Sequence, residues 1–565
     1  MRLARVFQTG VLLLLCGGSA SLSQTLNEGL AAMERGDFFT AFSALRQLER
    51  AGDPQAARML DEIFLTPGAQ PVTSPVVIAP PAAAPAARPA TAPVARPVPA
   101  PNAQPVSAVA PLRSLRPAPR VTLAALPAAP GRAMPGPAVP GHDLPAPLSD
   151  ADFRPVAEPL AAIGHLLFFD PILSGNRDIS CAVCHHPSLG SGDGVSLGLG
   201  TGATGLGEER VPAGQNAADR RIPRNAPALW NLGARDIHVL FHDGRVETDP
   251  DNPEARLTPQ GPLGYMDLDS LLAVQAMFPV LSHEEMAGRP GENPIADAVE
   301  DERIHGDDGA WALLAARVDA IPEYRAGFAA WRGRDQPVAM DEIANAIAAF
   351  IESEFRADQT PFDAYLREVA ALSAQAGEGM RLFFGRANCA SCHAGPLLSD
   401  QRFHAMGQPP IGPGKDTDEQ GYTRDIGRGG VTFDPEDDYA FRTPMLRNVM
   451  TTGPWGHAGA FSDIRDFLRH HLDPVAGLAR YEPQAILPDL TPQDDDFAAL
   501  RDAMVIAPVS DAAARSMAQR PLVLLEEDEI DLLVAFLEAL TDEASLMGWR
   551  GVPQAVPSGL PVERP

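Results

Sequence analysis

The stretch ISCAVCHHPSLGSGDG, Ile179–Gly194, sets Cys181 and Cys184 two residues apart and follows the second with His185. The same spacing returns at Cys389, Cys392 and His393. The chain has five cysteines, and these two pairs use all but Cys16. A Cys-x-x-Cys-His run is the attachment pattern of a c-type haem. A zinc site and a redox-active dithiol are the rival readings of such spacing. Two matches that consume every cysteine beyond the N-terminal segment favour two covalently bound haem c groups.

The N-terminal residues support this, because haem c belongs to exported proteins. Arg2 and Arg5 form a basic start, Val11–Leu15 is a short apolar run, and small residues around Ser19–Ser23 offer a cleavage site. Residues 1–23 therefore read as a signal peptide, and the protein as periplasmic. The run is too short to span a bilayer, and no other stretch reads as a membrane span. Leu15 is bulky where a small residue precedes a lipidated cysteine, so lipidation of Cys16 is left open. The formal net charge of −28 speaks against nucleic acid and anionic membrane surfaces as partners. It suits a basic protein partner or simply a solvated surface.

Composition divides the 565 residues further. Residues 24–65 carry apolar positions at helical spacing with turns at Gly36-Asp37 and Gly52-Asp53-Pro54, a tetratricopeptide-like helical segment. Residues 66–149 are dominated by Pro and Ala and read as an extended, disordered linker. From about Asp150 the pattern is globular. EPLAAIGHLLFFD leads helically into the first cysteine pair, and AQAGEGMRLFFGRANCASCH repeats that order before the second. MDEIANAIAAFIESEF (Met340–Phe355) and EEDEIDLLVAFLEALTD (Glu526–Asp542) are further amphipathic helices. The expected fold is mainly α, with two cytochrome c-like haem domains in tandem at 150–335 and 336–547 and a tail at 548–565.

LFFDPILSGNRDISCAVCH, PRNAPALWN, FHDGR, LFFGRANCASCH and FRTPMLRNVMTTGPWGHAGAF, in this order over about Asp150–Leu546, resemble the bacterial di-haem cytochrome c peroxidase family, MauG-type members included. The resemblance implies His185 and His393 as proximal iron ligands. It makes the first haem domain peroxidatic and the second an electron-transfer domain. It implies a distal Gln and Glu ten residues apart, which Gln275 and Glu285 match. A carboxyl beside the iron moves a proton between the peroxide oxygens, and an amide orients the peroxide. It also implies one calcium ion between the haems, held by the Asn225 side chain and the carbonyls of Thr452 and Pro454; oxygen donors suit a hard cation.

Three departures qualify the resemblance. His242 in FHDGR stands where most members place an electron-relaying Trp, and whether it relays is left open, as are Trp230 and Trp455 as substitutes. The second haem's axial Met or Tyr is replaced: counting nineteen residues from Thr452 reaches His471 rather than His470. A loop histidine that ligates the first haem at rest in many members is replaced by Leu199 in GVSLGLGTG, a glycine-rich loop expected to be mobile. The first iron is then expected to keep His185 as its only protein ligand. The function read from all this is reduction of hydrogen peroxide to water, with electrons from a small cytochrome c or cupredoxin. The alternative is a MauG-like enzyme oxidising residues of a protein substrate through a high-valent haem pair. The donor, the role of the N-terminal helical segment and the oligomeric state are not legible in the sequence.

Overall fold

Two crossing helix pairs organise the chain, and each crossing depends on one glycine. In a computed structural model, which describes residues 143–564 apart from 265, 418–422, 491–495, 519, 521–522 and 547, helix Glu158–Phe169 packs along helix Met340–Glu354. A Cβ on Gly164 would stand 1.7 Å from the Ala346 carbonyl oxygen, so the backbones meet only because no side chain intervenes. Helix Ala374–Phe384 packs along helix Glu527–Glu538 in the same way, and a Cβ on Gly379 would stand 1.8 Å from the Leu532 oxygen. Phe168 and Phe169 close the first crossing on Phe350, and Phe383 and Phe384 close the second on Phe536. Each leading helix then delivers a Cys-x-x-Cys-His turn. The likeness of GHLLFF to GMRLFF is thus a repeated helix crossing.

Helix Met340–Glu354, which follows the expected boundary at 335/336, packs in the first core. Its apolar residues, Ile343, Ile347 and Ile351 among them, are buried in one core with Leu160, Leu167 and Phe168. The first core therefore reaches Phe355, while a separate cluster around Phe362, Phe384 and Phe536 serves the second pair. Amphipathicity shows that a helix needs a partner; it does not say which one.

Segments expected to be loose are packed. The signal, the helical segment and the linker to residue 142 lie outside the described residues, but Leu148 is buried in the first core and Leu144 packs on the second. The tail turns back as a strap over the first pair. Arg550 forms a two-pronged ion pair with Glu158, Gly551 O meets His165 Nε2 at 2.7 Å, and Val556 joins the core. Ser558 Oγ donates to Asp170 at 2.6 Å.

Strands are short and antiparallel. Val239–Leu240, Val246–Thr248 and Arg256–Leu257 form one sheet, with FHDGR as the loop between its first two strands. Phe403–Ala405 pairs with Ala440–Arg442. Among the described residues no helix is long and apolar enough to cross a membrane.

Two glycines on one helix should respond oppositely. Nothing lies within 4 Å of a Cβ built on Gly377, so Gly377→Ala is expected to stabilise by about 0.5–1 kcal/mol. Gly379→Ala should destabilise by about 1–3 kcal/mol or more through overpacking. Chemical denaturation of the two variants measures both, and equal effects would refute the crossing argument.

Candidate functional site

Each Cys-x-x-Cys-His segment is one tight turn that ends on its histidine. Cys181–Cys184 is a single helical turn, which puts residues three apart on one face. The His185 amide closes it on Cys181 O at 3.0 Å. Cys389–Ser391 is a 3₁₀ turn, closed by the His393 amide on Cys389 O at 2.9 Å. His185 Nδ1 donates to Ser191 O at 3.1 Å, and the Pro227 backbone lies near the same ring. His393 Nδ1 donates to Leu398 O at 3.1 Å, and the Pro444 backbone lies near that ring. Such bonds fix the tautomer that leaves Nε2 as the ligand atom. Burial pushes His185 down to about 4 and holds His393 below its ordinary value, so both rings are neutral near pH 7.

Pro227 and Pro444 open two matching segments, PALWN and PMLRN. Both end in a buried asparagine with left-handed backbone, φ 60° at Asn231 and 61° at Asn448. Asn231 exchanges two hydrogen bonds with the backbone of Ala357, just past the first closing helix. Asn448 accepts from Asp542 N at 2.7 Å and donates to Ser545 Oγ, past the second. Thus one segment lies near the proximal histidine and clamps the helix pair. This device is missed when the cysteine runs alone are compared; the gap-free match of PALWN to PMLRN signals it.

The distal candidates lie on two short helical segments. Gln275 sits near the end of helix Leu271–Ala276, its Oε1 buried with no partner. Glu285 lies in the π-helical turn His283–Ala287, where Ser282 Oγ accepts from its amide at 3.2 Å. Glu284 is exposed and Glu285 turns inward. Burial raises the Glu285 carboxyl above its usual range, against the opposing pull of Arg245 and Lys415. Its charge adds to the upward shift that burial imposes on Cys184, so the two groups lie within electrostatic reach of each other. No hydrogen bond among the described residues joins Gln275 to Glu285.

The loop Gly194–Gly202 departs from expectation. It is buried except at Gly194 and tied along its length, so its glycines serve close packing rather than mobility. Leu199 packs with Ala203, Ala218 and Leu490. His186 Nδ1 meets Ser188 Oγ at 2.6 Å, a local bond as its position suggests.

At the second cysteine pair, helix Ile464–Leu472 carries both candidate histidines. His470 Nε2 is held by Met406 O at 2.8 Å. His471 Nδ1 donates to Phe467 O at 3.0 Å, and no hydrogen bond among the described residues engages its Nε2. Burial pushes His471 down to about 4, and His393 adds to the shift, so the two rings share one buried region.

A buried charge network lies beside His242. Arg224 bonds Asp425 through two nitrogens, at 2.6 and 2.7 Å, and Asp243 at 2.5 Å. Asp243 also receives Arg245 at 3.0 Å and Lys415 at 2.9 Å. Arg442 and His457 act on the same His242. His457 stacks on Phe441 with centroids 3.7 Å apart. His242 Nε2 donates to Asn225 O at 3.0 Å, and burial, then Arg224, pushes it to about 3. The Asn225 amide nitrogen donates to Pro454 O at 3.0 Å and Val195 O at 3.2 Å. Asn225 and Pro454 are thus brought together. A cation there needs the amide turned over to present its oxygen. Thr452 gives its hydroxyl to Val449 O. Trp230 donates to Gly190 O and Trp455 to Val449 O.

The residues fit haem better than the rival cofactors. Burial raises the Cys181 and Cys389 thiols to about 12, whereas at Cys392 burial is outweighed by His404 and Arg520 and the thiol is held below its ordinary value. The one described cluster of metal-ligand atoms is Cys392, Asp400 and His404. His404 spends Nε2 on Asp400 at 2.9 Å and Nδ1 on Arg520 at 2.9 Å, leaving no nitrogen for a metal. In contrast, Arg442 Nη1 and Arg447 Nε and Nη1 are buried donors without acceptors. Haem propionates are acceptors of the right charge.

A model of the family described as di-haem cytochrome c peroxidase matches residues 158–371. The chain is 30% identical over 332 residues to the cytochrome-c peroxidase IdrP1 of Denitromonas iodatirespirans, spanning 55% of this chain and 72% of that protein. It is 29% identical over 328 residues to the methylamine utilization protein MauG of Methylorubrum extorquens, 56% and 71% of the two chains. To the cytochrome c551 peroxidase of Pseudomonas aeruginosa it is 28% identical over 326 residues, 57% and 74%.

The charge network has a pH signature. Burial alone would raise Asp243 and Asp425, but Arg224 outweighs it and holds both well below the usual carboxylate range. Their stabilisation is therefore present above the ordinary carboxylate pKa of about 4 and is lost as pH falls below it. Asp425→Asn is expected to cost up to about 3–5 kcal/mol at pH 7, because the buried Arg224 loses its two-pronged partner and is left to share Asp243 with Arg245 and Lys415. It should also flatten the loss of stability below pH about 4. Denaturation curves across pH measure both effects.

Proposed function

Because the chain belongs to the di-haem cytochrome c peroxidase family, we propose that it is a periplasmic peroxidase that reduces hydrogen peroxide to water at its first haem site. Electrons enter through the second site from a small donor such as a cytochrome c or cupredoxin. The two helix pairs correspond, in this reading, to two cytochrome c-like domains in tandem. The observation that carries the proposal is the Glu285 carboxyl, its pKa raised by burial and its charge within electrostatic reach of Cys184.

A bound haem supplies an iron centre that takes up peroxide and delivers electrons to it. Cys181 and Cys184 would hold the first haem covalently with His185 as ligand; Cys389, Cys392 and His393 would hold the second. Glu285 accepts a proton from one peroxide oxygen on a carboxyl oxygen and returns it to the other, so that the departing oxygen leaves as water. Burial suits this task, since a carboxyl with a raised pKa both takes and gives a proton near neutral pH. Gln275, with its Oε1 unpartnered, is the group free to orient the peroxide. Arg442 would meet a propionate. His471 would be a further protein ligand of the second iron, and the Asn225 amide oxygen with the Thr452 and Pro454 carbonyls would hold a calcium ion.

A second reading is a MauG-like enzyme that oxidises a partner protein. It is favoured by the imidazole of His471 where a thioether is usual, because bis-histidine ligation lowers the potential of the second haem. Anaerobic titration with peroxide, followed by spectroscopy, separates the two. Rapid reoxidation of added reduced cytochrome c supports the peroxidase; oxidising equivalents that persist and are not passed to it favour the second reading.

Glu285→Gln is expected to keep both haems and slow the reaction with peroxide by about 10²–10⁴-fold. Unchanged stopped-flow kinetics would remove Glu285 from the mechanism. His471→Ala should convert one low-spin ferric haem to high-spin by electron paramagnetic resonance, and His470→Ala should not, since Met406 O already occupies His470 Nε2.

A further inference from the structure

Arg210 is almost wholly buried, yet no carboxylate bonds it directly. Its three guanidinium nitrogens go to backbone carbonyls instead: Nε to Leu199 O at 2.6 Å, Nη2 to Gly200 O at 2.7 Å and Nη1 to Gly205 O at 2.9 Å. Its charge is balanced at longer range by Glu563, Asp178 and Asp193. A buried guanidinium is costly, so this arrangement needs a reason. The loop it grips supplies one. A Cβ on Gly200 would stand 1.9 Å from Glu284 O and 2.6 Å from Glu285 O, so the loop backbone lies directly on the turn that carries the distal acid. Thr201 N donates to Glu285 O at 3.0 Å.

The rest of the loop is tied as well. Asp178 accepts from Thr201 Oγ1 at 2.9 Å and from Gly202 N at 2.7 Å. Ile222 N donates to Gly198 O at 2.9 Å. Ser196 donates to Gly459 O at 2.6 Å. From the C-terminal strap, Glu563 takes the amide of Gly205 at 3.1 Å.

We infer that Arg210 is the positioning residue for the distal acid: by gripping two successive carbonyls of the loop it makes Leu199–Thr201 a fixed wall against which the backbone of Glu285 is set. Two neighbouring carbonyls match the planar fork of arginine, and an ammonium group cannot span them in the same way. A distal acid seated on such a wall needs no loop movement before it acts. The protein then reacts with peroxide in its fully oxidised resting state. This deepens the proposed role of Glu285 and rests on it.

The test uses the di-haem holoprotein with Arg210→Lys, Glu285→Gln and the double variant, in stopped-flow mixing with peroxide across pH. Arg210→Lys is expected to slow the reaction about 10–100-fold, the scale of a small misplacement of a catalytic group. It should move the acid limb of the pH–rate profile toward lower pH, because a loosened wall admits water to the carboxyl. Combined with Glu285→Gln it should add no further loss. Wild-type rate and pH profile in Arg210→Lys, or a loss that adds fully to that of Glu285→Gln, would overturn the positioning role. If Glu285→Gln itself reacts at the wild-type rate, the proposed function of Glu285 fails instead. Should Arg210→Lys not accumulate with both haems, hydrogen exchange in the wild-type resting protein decides. The amides of Thr201, Gly202 and Ile222 are expected to exchange as slowly as the helix crossings, and exchange at the rate of an open loop would overturn the inference.

Discussion

The whole arrangement depends on two places where backbone touches backbone. Gly164 against Ala346 and Gly379 against Leu532 let two helix pairs cross without a side chain between them. Close crossing brings the Phe-Phe ends of the leading helices onto the closing helices. From there residues 385–388 lead to the second cysteine turn, and residues 170–180, with the short turn Pro171–Leu173, lead to the first. The PALWN and PMLRN segments complete the constraint from the other side. Each sets its proline backbone near the histidine of a cysteine turn and gives one asparagine to the end of the closing helix. A c-type haem demands this rigidity, because two thioether bonds and an axial bond must all be met in one geometry.

Charge is distributed against the trend of the sequence. The chain carries a net charge of −28, yet Asp243 and Asp425 lie buried against Arg224, with the half-buried Arg245 and the exposed Lys415 also bonded to Asp243. Surface acids are well solvated and cost little. Arg442 Nη1 is buried with no acceptor among the described residues, and in this family haem propionates are available to meet such a cation. The buried arginines with unpartnered nitrogens belong to the same logic.

The first site combines a carboxyl whose pKa is raised by burial with surroundings that do not move. Glycine-rich loops are commonly taken as hinges, but glycine also permits backbone to pack on backbone. Here the second property rules. The loop Gly194–Gly202 is buried, and its carbonyls and amides are satisfied by Arg210, Asp178, Glu285 and Ile222. A wall of this kind holds the backbone of Glu285 in one position.

The sequence by itself determined what is written in local chemistry. The cysteine spacing named the haem turns, the periodicity of EPLAAIGHLLFF and MDEIANAIAAF named the helices, and the motif order named the family. The count from Thr452 picked His471 over its neighbour, and the chain at that point is a helix on which the two rings diverge. What only the tertiary structure decided is which surfaces meet. Helix Met340–Glu354 belongs to the first core because its apolar face fits helix Glu158–Phe169, and no pattern within either helix encodes that choice. The strap at 548–564 looked like a tail because its few apolar residues gain burial only against a surface hundreds of residues away. Arg224, Asp425, Lys415 and Arg210 were invisible as site residues for the same reason: a charge is ordinary in sequence and becomes informative only when burial removes the water that would have solvated it.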